Sequence, residues 1–257
     1  MLDFAISVAQ EAGALLRDRL NTKFSVSHKG DINLVTEVDI ASETLIRERI
    51  ATRFPKHQVL AEESGFADSA SDYRWIIDPL DGTTNYAHGY PVFNVSIGLE
   101  HKGEMIAGVV YDPMRDELFA AEKGSGAMLN KKTIRVSQTG ELIKSMLSTG
   151  FPYDIKTSSM TNLDHWTNFA MNSQALRRDG AAALDLCYVA CGRYDGFWEL
   201  NLSAWDTAAG VLIVEEAGGR VSNFSNDKFS NYAPEIVASN GLIHDRMIEV
   251  IAMAGKK

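Results

Sequence analysis

The 257-residue chain is 45% hydrophobic and 23% charged, a balance that excludes a disordered chain and leaves ample apolar material for a core. Its 25 basic and 34 acidic side chains give a net charge of −9, and no cluster of lysine and arginine offers the cations that nucleic-acid phosphates require. Direct binding of nucleic acid is therefore not expected. Cys187 and Cys191 are too few for a disulfide framework and lack zinc-site spacing; on one helix they read as small buried side chains.

The apolar residues Phe4, Val8, Ala12, Leu15 and Leu16 recur at helical spacing, so residues 2–19 read as an amphipathic helix. Asp3 and Glu11 interrupt this segment and no basic leader precedes it, so it is not a signal peptide. No stretch approaches the roughly 18 apolar residues of a membrane span, and the expectation is a cytoplasmic chain without a membrane partner. A second helix is predicted over 40–54, stopped by Pro55. Short apolar runs at 58–61, 75–77 and 93–99 read as strands, and 93–136 as a meander broken by turn-like HKGE, DPMRDE and LNKKT segments. A strand over 145–150 then leads to a polar helix over 159–172. The run AAALDLCYVACG reads as a buried helix ended by Gly192, followed by a strand over 194–199. A helix over 207–217 is stopped by Gly218-Gly219, and a last strand near Ile236 precedes a closing helix over 245–253. With no internal repeat or flexible linker, a layered α+β unit over 1–257 is expected.

The segment WIIDPLDGTTNYAHGYP, residues 75–91, carries the most information. Its apolar run ends in Asp78, and Pro79 sends the chain into a defined turn before Asp81-Gly82-Thr83-Thr84-Asn85. On that turn two carboxylates three residues apart can point to one place, with the Leu80 carbonyl between them. An all-oxygen set of this kind suits a hard cation such as Mg²⁺. An Asp-Pro turn followed by an Asp-Gly turn also arises without any metal. Further acids stand at strand ends and helix starts. Glu62-Glu63 follows an apolar strand, where Glu63 reads equally as part of a solvated loop. Asp206 stands where it would cap an apolar helix, and Asp39 where it would serve the first turn of the second helix. The residues alone do not bring these four pieces together.

Asp78-Pro-Leu-Asp81-Gly-Thr-Thr-Asn85 and Trp205-Asp206-x-Ala-x-Gly, with Glu216-Ala-Gly-Gly219, resemble the two defining motifs of the inositol monophosphatase family. Glu62-Glu63-Ser64 and Thr36-x-x-Asp39 match its two lesser motifs, in the right order. The resemblance spans nearly the whole chain. It implies a five-layer αβαβα sandwich, with a metal-binding half at roughly 1–140 and a half at 141–257 supplying Asp206 and the substrate pocket. The activity it implies is Mg²⁺-dependent, lithium-sensitive hydrolysis of a phosphate monoester, inositol 1-phosphate and related polyol phosphates first.

Carried over onto this sequence, Glu62, Asp78 and the Leu80 carbonyl hold one Mg²⁺, and Asp78, Asp81 and Asp206 a second. A third leans on Glu62, giving two to three cations per site. Glu62, Thr83 and Asp39 are the implied catalytic residues, orienting the water that attacks phosphorus. The amides of Gly82 and Thr83 face the phosphate, while Asp81, Ala182, Glu199 and Asp206 contact the alcohol. Glu199 also reads as a strand-end carboxylate facing water, and Arg177 and Arg178 as a structural ion pair or subunit contact. Residues 27–33 resemble a loop that closes over the metals, with Lys29 either a phosphate contact or an exposed lysine. Two positions depart from the pattern, Ala61 for the more usual Gly and Asn33 for the more usual Asp.

The family resemblance also implies a homodimer, to which residues 151–170 would contribute. Fructose-1,6-bisphosphatase, histidinol-phosphate phosphatase and 3′-phosphoadenosine-5′-phosphate phosphatase are the alternatives within the class; Thr84-Asn85 favours the inositol branch over the last two, while the bisphosphatases share every metal ligand. A role outside catalysis, as a partner of RNA polymerase and antitermination factors, is the alternative of a different class.

Overall fold

The structure is a computed structural model that describes residues 1–28, 34–67, 69–158 and 160–254. Helix α1 (Leu2–Arg19) buries Ala5, Val8, Ala12 and Leu16, the stripe its sequence predicts. Strands β1 (Val26–His28) and β2 (Leu34–Thr36) pair antiparallel ahead of α2 (Glu37–Arg53). That helix starts three residues before the predicted Ile40 because Thr36 caps it. The Thr36 hydroxyl accepts from the amides of Val38 and Asp39, while the Asp39 carboxylate accepts from the Thr36 amide at 2.8 Å.

The first sheet contains β3 (Gln58–Ala61), β4 (Gly65–Ala67), β5 (Tyr73–Asp81), β6 (Asn94–His101), β7 (Glu104–Asp112), β8 (Glu117–Glu122), β9 (Ala127–Leu129) and β10 (Lys132–Thr133). Its order is β10-β9-β8-β7-β6-β5-β3-β4, so the meander forms one side and β3 joins β5 in parallel. The single-turn helix α3 (Thr83–Ala87) links β5 to β6. The second sheet takes β11 (Met146–Thr149), β12 (Ala175–Arg177), β13 (Gly196–Leu200), β14 (Arg220–Ser222) and β15 (Glu235–Ser239) in the order β12-β11-β13-β15-β14. Its helices are α4 (Leu163–Asn172), α5 (Ala182–Ala190), α6 (Ala204–Glu216) and α7 (His244–Ile251).

Among the described residues, the three larger of four packed cores order the layers. In the first, Leu16 of α1 and Ile46 of α2 meet Trp75, Ile77 and Phe93 on one face of the first sheet. In the second, α5 and α6 lie between the sheets, where Leu186 and Ile213 meet Phe119 on one side and Phe197 and Ala238 on the other. The third places Phe169 of α4 and Met247 of α7 against Trp198 and Val237 on the outer face of the second sheet. The result is a five-layer αβαβα sandwich. Strand β5 is central, and Trp75, Ile76 and Ile77 are all fully buried, which is why it reads as a continuous apolar run. Gly108 of β7 lets α6 settle onto the first sheet, since a Cβ there would lie 2.8 Å from the Ala209 carbonyl.

The short edge strands β4, β12 and β14 were not predicted. Each has three residues, too few for a periodic pattern, and is defined by the neighbour it pairs with. Helix α4 starts at Leu163 and α6 at Ala204, three residues ahead of the predicted Thr207. Among the described residues no helix is long and apolar enough to cross a membrane.

Candidate active site

A bulge at the end of β5 decides where the two aspartates of the long motif point. Along a regular strand, residues three apart face opposite sides. Here Asp78 stands opposite Ser96 and Asp81 opposite Asn94, so three steps on β5 match two on β6. The extra residue, at Pro79-Leu80, turns Asp78 and Asp81 toward one cavity. Proline has no N–H to lose from the ladder, so it is tolerated at such a bulge. Ser42 Oγ donates to the Pro79 carbonyl at 2.8 Å from one side, and the Leu80 amide donates to Asp78 Oδ1 at 3.0 Å from within.

Neighbouring elements deliver the other groups. Ala61 of β3 pairs with Ile77 of β5, and the Glu62 amide donates to the Ile77 carbonyl at 3.3 Å, so Glu62 emerges beside Asp78. The buried Glu43 carboxylate shapes that turn by accepting from the amides of Glu63 and Ser64 at 2.8 and 3.1 Å. Gly82 has a φ of +95°, and a Cβ on it would lie 2.9 Å from the Val92 carbonyl, so only glycine fits where β5 turns into α3. Thr83 opens α3 and donates from Oγ1 to Asp39 Oδ1 at 2.8 Å, with the Leu80 carbonyl 3.1 Å away as a second acceptor. Asp206 is the third residue of α6 rather than its cap, and its Oδ2 accepts from the Ser203 amide at 2.6 Å. A helix N-terminus favours a carboxylate there.

These groups surround a cavity of about 470 Å³. Glu62, Asp78, Leu80, Asp81, Gly82, Thr83, Ala182, Glu199 and Asp206 all line it, and Asp39 sits behind Thr83. Burial, with Glu62, Asp81 and Asp206 alongside, holds the Asp78 carboxyl well above its ordinary range. Burial pushes Asp81 up to about 6, against hydrogen bonds from Asn94 Nδ2 and the Ala183 amide at 2.7 and 2.9 Å. Asp206 is also raised well above its ordinary range, by burial and then by Asp81. Among the described residues, no lysine or arginine forms an ion pair with Asp78, Asp81 or Asp206. Carboxylates so crowded ionise together only beside a cation.

The donor set fits a hard divalent ion. It is all oxygen, from carboxylates and the Leu80 carbonyl, with no histidine or thiolate among the described residues of the cavity wall. Among the described residues, no three His, Cys, Asp or Glu side chains close into a preformed cage.

A profile of the inositol monophosphatase family matches residues 1–255. The chain belongs to the inositol monophosphatase family. It is similar to the inositol-1-monophosphatase of Synechocystis, 44% identical over 253 residues that cover 98% of this chain and 88% of the relative. It is equally similar to Nus factor SuhB of Pseudomonas aeruginosa, 44% identical over 250 residues covering 93% and 91% of the two chains. The solved structure of inositol monophosphatase from Anabaena superposes with a TM-score of 0.90 at 45% identity, covering 98% of this chain and 95% of that one. The chain is thus a phosphatase of a generally metal-dependent family, consistent with a phosphate monoester as substrate.

Other positions singled out by the family resemblance separate in the structure. Glu199 does not face bulk water: it is 8% exposed at the end of β13, and burial pushes its carboxyl up to about 8, with Asp206 adding to the rise and Arg178 opposing it. Arg178 lines the cavity, whereas Arg177 is exposed and donates to the Leu176 carbonyl. Lys29 and Asn33 lie outside the described residues. Cys187 and Cys191 are free thiols on α5 and its cap, Cys187 buried in the central core. Four supporting residues were missed: Ser42, Glu43 and Asn94, whose partners are distant in sequence, and Asn85. The Asn85 amide donates to the carbonyls of Val92 and Asp179, both at 2.8 Å, and so ties α3 to the turn before α5.

Proposed function

We propose that this phosphatase hydrolyses inositol 1-phosphate and related polyol phosphates with Mg²⁺ as its cofactor. The observation that carries the reading is the β5 bulge, which turns Asp78, the Leu80 carbonyl and Asp81 toward the cavity shared with Glu62, Asp206 and Glu199. Glu62, Asp78 and the Leu80 carbonyl would hold one cation, and Asp78, Asp81 and Asp206 a second, with Asp78 common to both and a third leaning on Glu62. When bound, the cations neutralise the phosphate and the departing oxygen and acidify the attacking water.

The protein's own groups supply position. Thr83 directs its hydroxyl proton at Asp39, which leaves its oxygen lone pairs free to accept a hydrogen bond from water in the cavity. Asp39 is itself fixed by the Thr36 amide and hydroxyl, so the Thr83 oxygen is held in one place. Glu62 accepts from the same water on its other side. The amides of Gly82 and Thr83 donate to phosphate oxygens at the mouth of α3. Asp81, the Ala182 amide, Glu199 and Asp206 meet the alcohol. Phosphoryl transfer depends mainly on positioning and charge stabilisation, so no side-chain nucleophile is needed.

Phosphate release by the purified protein, with and without Mg²⁺, tests the reading. The substrates are inositol 1-phosphate, fructose 1,6-bisphosphate, histidinol phosphate and 3′-phosphoadenosine-5′-phosphate. The expected result is Mg²⁺-dependent release, fastest from the first and suppressed by millimolar Li⁺. No release from any of them by folded, Mg²⁺-saturated protein would sink it. Arg178 supports a second reading, a sugar bisphosphate, because it is the one basic side chain among the described residues lining the cavity. Exposed Tyr153, Met160 and Leu163 support a homodimer formed through residues 151–170, which light scattering would read directly.

A further inference from the structure

Among the described residues, no hydrogen-bonding side chain holds the Glu199 carboxylate, which must nevertheless face the cavity to meet an alcohol. What holds it is shape. Strands β11 and β13 run parallel with Thr149 opposite Trp198, so Gly150 comes next to Glu199 as the chain leaves β11. A Cβ on Gly150 would lie 2.0 Å from Glu199 Oε1, so the carboxylate rests directly on bare backbone. The Gly150 carbonyl is held in turn by Asn162, which is 2% exposed and does not line the cavity. Asn162 Nδ2 donates to the Gly150 carbonyl at 2.5 Å and to Thr149 Oγ1 at 2.8 Å, and its Oδ1 accepts from Trp198 Nε1 at 2.8 Å. One buried amide therefore ties the end of β11 to the residue that precedes Glu199 on β13.

We propose that Asn162 is a positioning residue for recognition of the substrate's hydroxyl groups, acting by clamping Gly150 beneath Glu199. The inference rests on the hydroxyl-binding role of Glu199 in the proposed function. All three hydrogen bonds of the Asn162 side chain serve the clamp. Its backbone sits at φ +65°, a conformation glycine adopts freely. Asn162→Gly thus removes the clamp without straining the turn.

Steady-state kinetics with inositol 1-phosphate and phenyl phosphate, which offers no hydroxyl to Glu199, test it in the full-length Mg²⁺-loaded protein. In Asn162→Gly the KM for inositol 1-phosphate rises about fivefold or more, the scale of about one neutral hydrogen bond, while kcat changes less than about twofold. Phenyl phosphate constants stay at wild-type values. Asn162→Gly combined with Glu199→Gln is no worse than Glu199→Gln alone, because the effect passes through Glu199. Gly150→Ala, which needs no buried amide removed, raises the same KM by displacing the carboxylate. Parallel losses on both substrates, additive losses in the double variant, or wild-type constants in Asn162→Gly overturn the proposal. An inert Glu199→Gln, or a wild type that leaves inositol 1-phosphate intact, overturns the reading of Glu199 and the proposal with it. An effective Glu199→Gln beside an inert Asn162→Gly overturns the proposal alone.

Discussion

Thr83 and Asp39 form the contact in this site most open to a single-residue test. Their hydrogen bond joins α3 to α2 across 44 residues of sequence, and Thr36 leaves Asp39 no other orientation. Thr83→Ala removes the oxygen that would orient water, and the expected outcome is a fall in kcat of roughly 10²-fold or more with KM little changed. Asp39→Asn keeps the shape and removes the charge, so it should fall in the same direction. Equal kcat for either variant and the wild type would remove the pair from the chemistry. Asp206→Asn belongs at this scale too. It exchanges one anionic ligand of the proposed second cation for a neutral one, and calorimetric titration with Mg²⁺ should show weaker binding together with lost turnover. If that variant still restores every phenotype of a deletion strain, a role outside catalysis dominates.

At the scale of elements, the turn from β5 into α3 is the most constrained junction. Gly82 lies in the left-handed region with the Val92 carbonyl against it, and Asn85 anchors the same turn to residue 179. Gly82→Ala should cost roughly 1–3 kcal/mol of stability through backbone strain and that contact, measurable as a lowered urea midpoint. Asn85→Ala should cost a similar amount and leave the carbonyls of Val92 and Asp179 without their shared donor. An unchanged midpoint in both would mean that the junction relaxes freely.

The molecule as a whole stores like charge where its layers meet. Asp81 titrates near 6 when folded against an ordinary value of 3.8. Between those values the cation-free folded chain binds more protons than the unfolded one, so its stability falls as pH rises from about 4 to about 6. The Asp81 contribution is present below the lower value and lost above the upper one. Asp78 and Asp206, shifted the same way, deepen the loss. A cation bound as proposed should reverse it: Mg²⁺ at a hundred times its dissociation constant should add about 2.7 kcal/mol, or roughly 5–10 °C in melting temperature for a chain of this size. Thermal scans in chelator and in Mg²⁺ at pH 4.5 and 7.5 check both. A cation-free protein more stable at pH 7.5 than at 4.5 would contradict the charge argument.

Much of this was legible in the residues. The helices α1, α5 and α7 and the strands of the meander follow from periodicity and turn chemistry, which act over a few residues. The motifs identified the family and its phosphatase class. The geometry of the site was not legible in the same way. Asp78 and Asp81 share a cavity because β5 bulges against β6, and the bulge exists only where two strands meet in register. Glu43, Ser42 and Asn94 support the site through contacts across 20, 37 and 13 residues. Glu199 and Asp206 come to face the carboxylates of β5 only when the two sheets close around α5 and α6. Local propensity and motif chemistry are written into neighbouring residues and can be read from them. Carboxylates gathered against their own repulsion require the packing of distant layers, and only the tertiary structure decides that.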